Sequence, residues 1–280
     1  MEDDLKKAYG SYDIPNEVYQ LISLEEELLK DGLTLATIGL IPSIQFEPYS
    51  ITPPDLIPFA STGGNGIHFG FLTDFNEVSS LNVAPIVCVT PTNDPPIRYM
   101  ARNIREFLNL AASVPYVEML ESCWECKDER EMVNMFKEFE SDTPAAWQQQ
   151  RDMIFTRFKE SLELQPFELF GYLNDAKKER LSNSIISTHD GLGIVSKGKK
   201  NATNQRFTFS EQRTCDEKEI ERMHHFLRQT NKEEKLAFIR DANYWYILTS
   251  GYHEAVWELT IELLKSLKMY DDAERVFVRC

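Results

Sequence analysis

The chain has 280 residues, with 45 Asp+Glu against 30 Lys+Arg and a formal net charge of -15. That balance excludes a surface built to displace counterions from nucleic acid phosphates, so no direct nucleic acid partner is expected. With 42% hydrophobic and 11% aromatic residues, the chain can bury a core and is not compositionally disordered.

The acidity is uneven. Residues 1–140 hold 9 basic and 23 acidic side chains, whereas residues 141–280 hold 21 and 22. An electrostatic function therefore belongs to the N-terminal half, with a solvated, solubilising surface as the plain alternative. The start, Met-Glu-Asp-Asp-Leu-Lys-Lys, lacks the basic and apolar regions of a signal peptide, and no apolar run reaches about 18 residues. Five cysteines, odd in number and scattered, argue against a disulfide framework. Together these features predict a cytoplasmic protein with no membrane partner.

In chain order, Val18, Leu21, Ile22, Leu24, Leu28 and Leu29 recur at helical spacing, which predicts a helix from Pro15 to Lys30, closed by Gly32. Short apolar runs between prolines then predict strands at Leu35–Leu40, Ile57–Ala60, Ile67–Thr73 and Ile86–Thr90. The unalternating run Pro85-Ile86-Val87-Cys88-Val89 is the pattern of a central strand covered on both faces. After Pro95-Pro96, Tyr99, Ile104, Phe107, Leu108 and Ala111 alternate helically with Arg98, Arg102 and Arg105. A charged helix is predicted over Glu121–Glu140 and another from Pro144 to about Leu164, with the change of module near residue 141.

The second half reads as a small antiparallel sheet over Ile185–Ser187, Leu192–Ser196 and Arg206–Phe209, the last two joined by Lys197-Gly198-Lys199-Lys200-Asn201. Amphipathic helices follow at Cys215–Thr230, Lys232–Ala242 and Tyr252–Lys268. The fold class is α+β: a mixed sheet flanked by helices over residues 1–140, then a helix-rich α+β module over residues 141–280.

Chemistry-bearing motifs are sparse. Cys123-Trp124-Glu125-Cys126 has no second ligand pair for zinc, and Glu118, Glu121, Glu125 and Asp128 oppose a thiolate, so two ordinary thiols are expected. Ser61-Thr62-Gly63-Gly64-Asn65-Gly66 matches neither phosphate-binding fingerprint and reads as a tight turn between strands. His189-Asp190 and His224-His225 complete no facial ligand set, and no nucleophile elbow occurs, so neither metal nor cofactor is expected. The Lys197, Lys199, Lys200 cluster reads as a soluble loop tip.

The run from Leu56 to Leu72 carries more. Its apolar residue, Pro58-Phe59-Ala60, glycine-rich turn through Gly64 and Gly66, and second strand with Phe71 resemble the central signature of the SUKH superfamily. Pro85–Val89 is similar to the apolar strand that follows in that family, and Asn103–Leu108 to its closing helix, so the resemblance spans Ile14 to Ala112. It implies a protein-binding module, with Pro58, Phe59, Ala60, Gly64, Gly66 and Phe71 in structural roles. Many relatives are cytoplasmic immunity proteins that neutralise toxins, often nucleases, and others are cell-wall assembly regulators. An acidic surface could occlude the basic cleft of a toxin domain and accelerate encounter with it. The carboxylates in loops near the signature, Glu47, Asp55, Asp74, Glu77 and Asp94, are the expected partner-binding residues. No catalytic residue is then needed. A regulatory scaffold is the alternative, and a hydrolase around His189 and Asp190 a further one.

Overall fold

The computed structural model describes residues 8–42, 48–166, 168–196, 204–209, 215–249 and 252–277. The fold is α+β. In the first half, helix α1 (Asn16–Lys30) precedes five strands: β1 (Ile41–Pro42), β2 (Leu56–Ser61), β3 (His68–Leu72), β4 (Ile86–Val89) and β5 (Ile97–Ala101). They lie in chain order in one sheet, and all four pairings are antiparallel, where a mixed sheet was expected. Helices α2 (Ile104–Ala111), α3 (Met119–Glu125), α4 (Glu129–Asp142), α5 (Ala145–Ser161) and α6 (Leu169–Asn183) follow. A two-stranded antiparallel ribbon, β6 (Ser184–Ile186) and β7 (Ile194–Val195), leads to α7 (Glu217–Gln229), α8 (Lys232–Tyr244), α9 (Glu254–Ser266) and α10 (Tyr270–Phe277).

Strand periodicity divides the sheet's side chains between two cores. Ile57, Phe59, Phe69, Phe71, Ile86 and Cys88 face a cluster shared with α1, α2 and α5. On the opposite face Leu56, Leu72, Val87, Val89 and Ile97 meet Ile51 and, from far along the chain, Leu192 and Tyr244. All four residues of β4 are buried, as its unbroken apolar run predicted. The first cluster continues through Ile154, Phe158, Leu164 and Leu173, so α5 and the start of α6 pack with the sheet. A separate cluster unites β6, β7 and α7 to α10, and Phe75 is its one buried contributor from the first half.

Four local expectations change. Leu35–Ile38 is a 3-10 turn capped by the Thr34 side chain, not a strand, because Gly39 at φ +75° reverses the chain just after it. Arg98 and Tyr99 sit on β5 and not on a helix; helix α2 starts only at the Asn103 cap, whose side chain accepts from the Glu106 N–H. The charged helix predicted over Glu121–Glu140 is broken at Cys126 into α3 and α4. Arg206–Phe209 makes no strand pairing; Phe207 and Phe209 instead pack edge-on and tilted against Phe238. The Lys197–Asn201 loop lies outside the described residues.

In the signature turn, Gly66 has φ +70°, and a Cβ there would fall 2.5 Å from the Tyr49 ring. Glycine is required both by conformation and by space. Phe59, Ala60 and Phe71 are fully buried and Pro58 is half-buried at a bulge where β2 shifts register against β3, so these residues support the sheet.

Candidate protein-binding site

The expected carboxylates separate into three groups. Glu47 lies outside the described residues. Asp94 is exposed between β4 and β5, and half-buried Glu77 pairs with Lys232 Nζ at 2.9 Å. Asp55 and Asp74 correct the expectation: both are buried and engaged by arginines of the second half. Arg240 Nη2 donates to Asp55 Oδ2 at 2.6 Å and lies 3.3 Å from Asp74, while Arg180 clasps Asp74 with two bonds of 2.6 and 2.7 Å. Asp190 completes the group 3.3 Å from Arg240. These charges join the halves of the molecule and offer nothing to a partner.

The backbone at this junction is unusual. Asp74, Phe75 and Asn76 have φ of +48°, +53° and +67°, a left-handed turn that costs L-residues roughly 1–2 kcal/mol each. The turn aims Asp74 at both arginines and places Phe75 in the second half's core, with the Arg240 guanidinium 5.1 Å from its ring. Burial of Phe75 and the ion pairs offset the strain. Desolvation pushes the Asp55 carboxyl up to about 7 against the pull of Arg240, with Asp74, Asp272 and Asp190 adding to the rise.

The exposed acidity lies elsewhere, on the hairpin of α3 and α4. Residues 118–142 hold nine acidic side chains against three basic ones. The hairpin is firmly held from beneath. Leu120 and Cys123 are buried in the first core, and Trp124 Nε1 donates to the Tyr99 carbonyl at 3.0 Å. Fully buried Arg98, on β5, bonds Thr90 and Glu125 and lies 3.6 Å from Glu121, which also accepts from Asn93. Lys177, on α6, lies 3.8 Å from the centre of the Trp124 ring and donates to the Trp124 carbonyl. Burial lowers the affinity of the Lys177 amine for its proton relative to an ordinary lysine.

Helix α4 starts at Asp128, whose carboxylate accepts from the Glu131 N–H at 2.9 Å while Glu131 accepts from the Lys127 N–H at 2.8 Å. Of its residues only Met132 is buried; Met135 and Phe136 are half-covered, and Phe139 stacks on Tyr116. Its far end is tied to α5 by a 2.8 Å ion pair between Glu140 and Arg151. Between α3 and α4 runs an open groove of about 680 Å³ with Glu125, Asp128, Glu131 and Glu138 along its walls against Lys127 and Arg130. Exposed Val133 lies beside it, and the rest of the outward face is polar.

The two cysteines of the predicted motif sit at the root of this hairpin. Burial raises the Cys123 thiol to about 12, and burial with Glu131 and Asp128 raises that of Cys126. Both therefore favour the protonated thiol, Cys123 through burial and Cys126 through burial together with its acidic neighbours. His189 does not hydrogen-bond Asp190: its ring stacks on Tyr244 at 5.9 Å and meets Trp245 edge-on at 5.2 Å, while Asp190 is committed to Arg240 and Thr188. Among the described residues, no group of three or more His, Cys, Asp or Glu side chains could hold a metal ion, and no helix is long and apolar enough to cross a membrane.

Sequence reasoning missed Arg98, Arg180 and Arg240. For Arg240 a signal exists, since Arg240-Asp241 interrupts the apolar stretch Leu236-Ala237-Phe238-Ile239 within a helix, where an ionised pair must find internal partners. Arg98 falls with Arg102 and Arg105 on one side of a helical pattern, and Arg180 has mostly polar neighbours in sequence, so neither carries such a mark. No protein-family model matches the chain, and no curated protein matches it.

Proposed function

We propose that this chain is a non-enzymatic, cytoplasmic protein-binding module that receives a basic protein surface on its acidic α3–α4 hairpin. The observation that carries the reading is the excess of exposed acids over bases in residues 118–142, where Glu125, Asp128, Glu129, Glu131, Glu138 and Asp142 face solvent against Lys127, Arg130 and Lys137, on a hairpin anchored through Arg98, Trp124 and Lys177. A fixed acidic groove costs little ordering on association and steers a cationic partner toward it. Resemblance to the SUKH superfamily supports neutralisation of a nuclease-type toxin domain by occlusion, and the partner surface moves from the loops around Asp55 and Asp74 to the hairpin. Asp94 stays exposed between β4 and β5, whereas Glu77 is already paired with Lys232 of the second half.

The test takes as partner a basic nuclease-type domain found among the products of the genes adjacent to this one. Kinetics of association are measured between 50 and 500 mM salt, for the wild type and for Glu131→Gln/Glu138→Lys. That pair removes two negative charges and adds a positive one, a change of three in net charge, and glutamine keeps the acceptor that Glu131 offers the Lys127 N–H. Association slowed roughly tenfold or more in the variant, with a steep salt dependence in the wild type, is expected. Salt-independent binding, or a variant that binds and rescues growth like the wild type, refutes the hairpin as the interface.

A further inference from the structure

The second half carries a groove of opposite character. It is about 1040 Å³, open to solvent, and runs between α7 and the extended segment at Arg206–Thr208. Arg206, Lys218, Arg222, Arg228, His224 and His225 line it, and Glu221 is the one carboxylate among its lining residues. In a chain of net charge -15, such an enrichment of cations is a local inversion.

Two of the arginines are fixed in place. Arg206 Nη2 donates to buried Asp241 at 2.7 Å. Arg222 bonds Glu219, donates to the Thr208 carbonyl at 3.1 Å, and lies 4.9 Å from the centre of the Phe207 ring. Lys218, Arg228 and the two histidines are exposed, and among the described residues they have no ion-pair or hydrogen-bond partner. The groove thus offers pre-positioned guanidinium groups beside free cations, an arrangement that loses little side-chain entropy on receiving an anion.

Spacing narrows the ligand. Lys218, Arg222 and His225 follow one another at four and three residues and share a stripe of α7, and at 1.5 Å per residue Lys218 to Arg228 spans about 15 Å. An extended peptide covers that distance in about five residues and sets alternate side chains about 7 Å apart. Single-stranded nucleic acid would ask for exposed ring faces on which bases stack. Phe207 is 7% exposed and packed edge-on against Phe226 and Phe238, so it offers no such platform.

We propose that this groove binds an acidic, extended polypeptide segment, its carboxylates paired with Lys218, Arg222 and Arg228. The chain would then present two electrostatically opposite docking surfaces, an acidic one on the α3–α4 hairpin and a basic one on α7, able to hold two partners at once.

The experiment is fluorescence anisotropy with a labelled eight-residue peptide alternating Asp and Ser, and with an oligothymidylate of the same charge. The full chain, Lys218→Ala/Arg228→Ala, and Glu131→Gln/Glu138→Lys are compared at 50 and 250 mM salt. Saturable peptide binding that weakens at least tenfold in the first variant and at the higher salt, and is kept in the hairpin variant, is expected. Both substituted side chains are exposed and unpartnered, so an unchanged melting temperature shows the fold intact. No saturation at 50 mM salt, or equal binding by Lys218→Ala/Arg228→Ala, overturns the proposal; tighter binding of the oligothymidylate overturns it in favour of a nucleic acid groove. The hairpin reading fails separately, through its own variant.

Discussion

Replacing Arg240 by methionine tests whether the buried charges hold the two halves together. Arg240 is 1% exposed and is shared by Asp55, Asp74 and Asp190 at 2.6, 3.3 and 3.3 Å. Methionine fills the volume but leaves the three carboxylates unequally provided for. Asp74 keeps both bonds from Arg180, and Asp190 keeps the Thr188 hydroxyl and the Leu192 N–H. Asp55 keeps nothing for its side chain, since its Oδ1 already has no partner and its Oδ2 depends on Arg240. Stranding one buried charge costs about 3–5 kcal/mol, and the lower end applies here because the carboxyl can escape by taking a proton. At pH 8 the variant should lose about 3 kcal/mol, or about 1 M in urea midpoint at a slope of about 3 kcal/mol/M. The loss should shrink at pH 5.5, where Asp55 is protonated, and shrink again when Arg240→Met is made in an Asp55→Asn background. Urea titrations followed by both tryptophan fluorescence and far-UV circular dichroism measure it. A cost below about 1 kcal/mol at pH 8, or one indifferent to pH and to Asp55→Asn, would refute the reasoning.

Two further outcomes follow from the same junction. Folded Asp55, raised to about 7 by burial, holds its proton to a higher pH than an unfolded aspartate at about 3.9, so the folded state is favoured at low pH and that contribution fades as pH rises from about 4 to about 7. Thermal melts should therefore show Asp55→Asn gaining on the wild type between pH 5 and pH 8, and a constant gap would contradict the shift. Phe75→Ala should cost about 3–5 kcal/mol as a fully buried aromatic in the second core. Phe75→Gly, despite losing one more carbon, should be about 1 kcal/mol less costly than alanine because φ at this position is +53°; chemical denaturation of the two variants side by side decides it.

Periodicity and punctuation made much of the first half legible. The runs at Ile57–Ala60, Ile67–Thr73 and Ile86–Thr90 became β2, β3 and β4, and the helix of Leu21, Leu24 and Leu28 formed as its spacing required. The turn glycine Gly66 was readable for the same local reason. Strand β5 was not, because Arg98 and Arg102 look like the polar face of a helix; Arg98 is acceptable inside a strand only because Thr90, Glu121 and Glu125 converge on it from other elements. Likewise Asp55 and Asp74 resemble any loop carboxylate until Arg180 and Arg240, more than a hundred residues away, come within reach.

Composition and spacing by themselves determined the α+β class, the central place of β4 and the confinement of excess negative charge to the first 140 residues. These are properties of local pattern, carried by nearest neighbours along the chain. Which acids face water was decided by the tertiary structure alone, since an ionised carboxylate is buried only where a cation meets it, and that meeting joins distant segments. The fold drew Asp55 and Asp74 inward to join its halves, left most of the acids of residues 118–142 on the surface, and brought Arg206, Lys218, Arg222 and Arg228 of the second half to one groove.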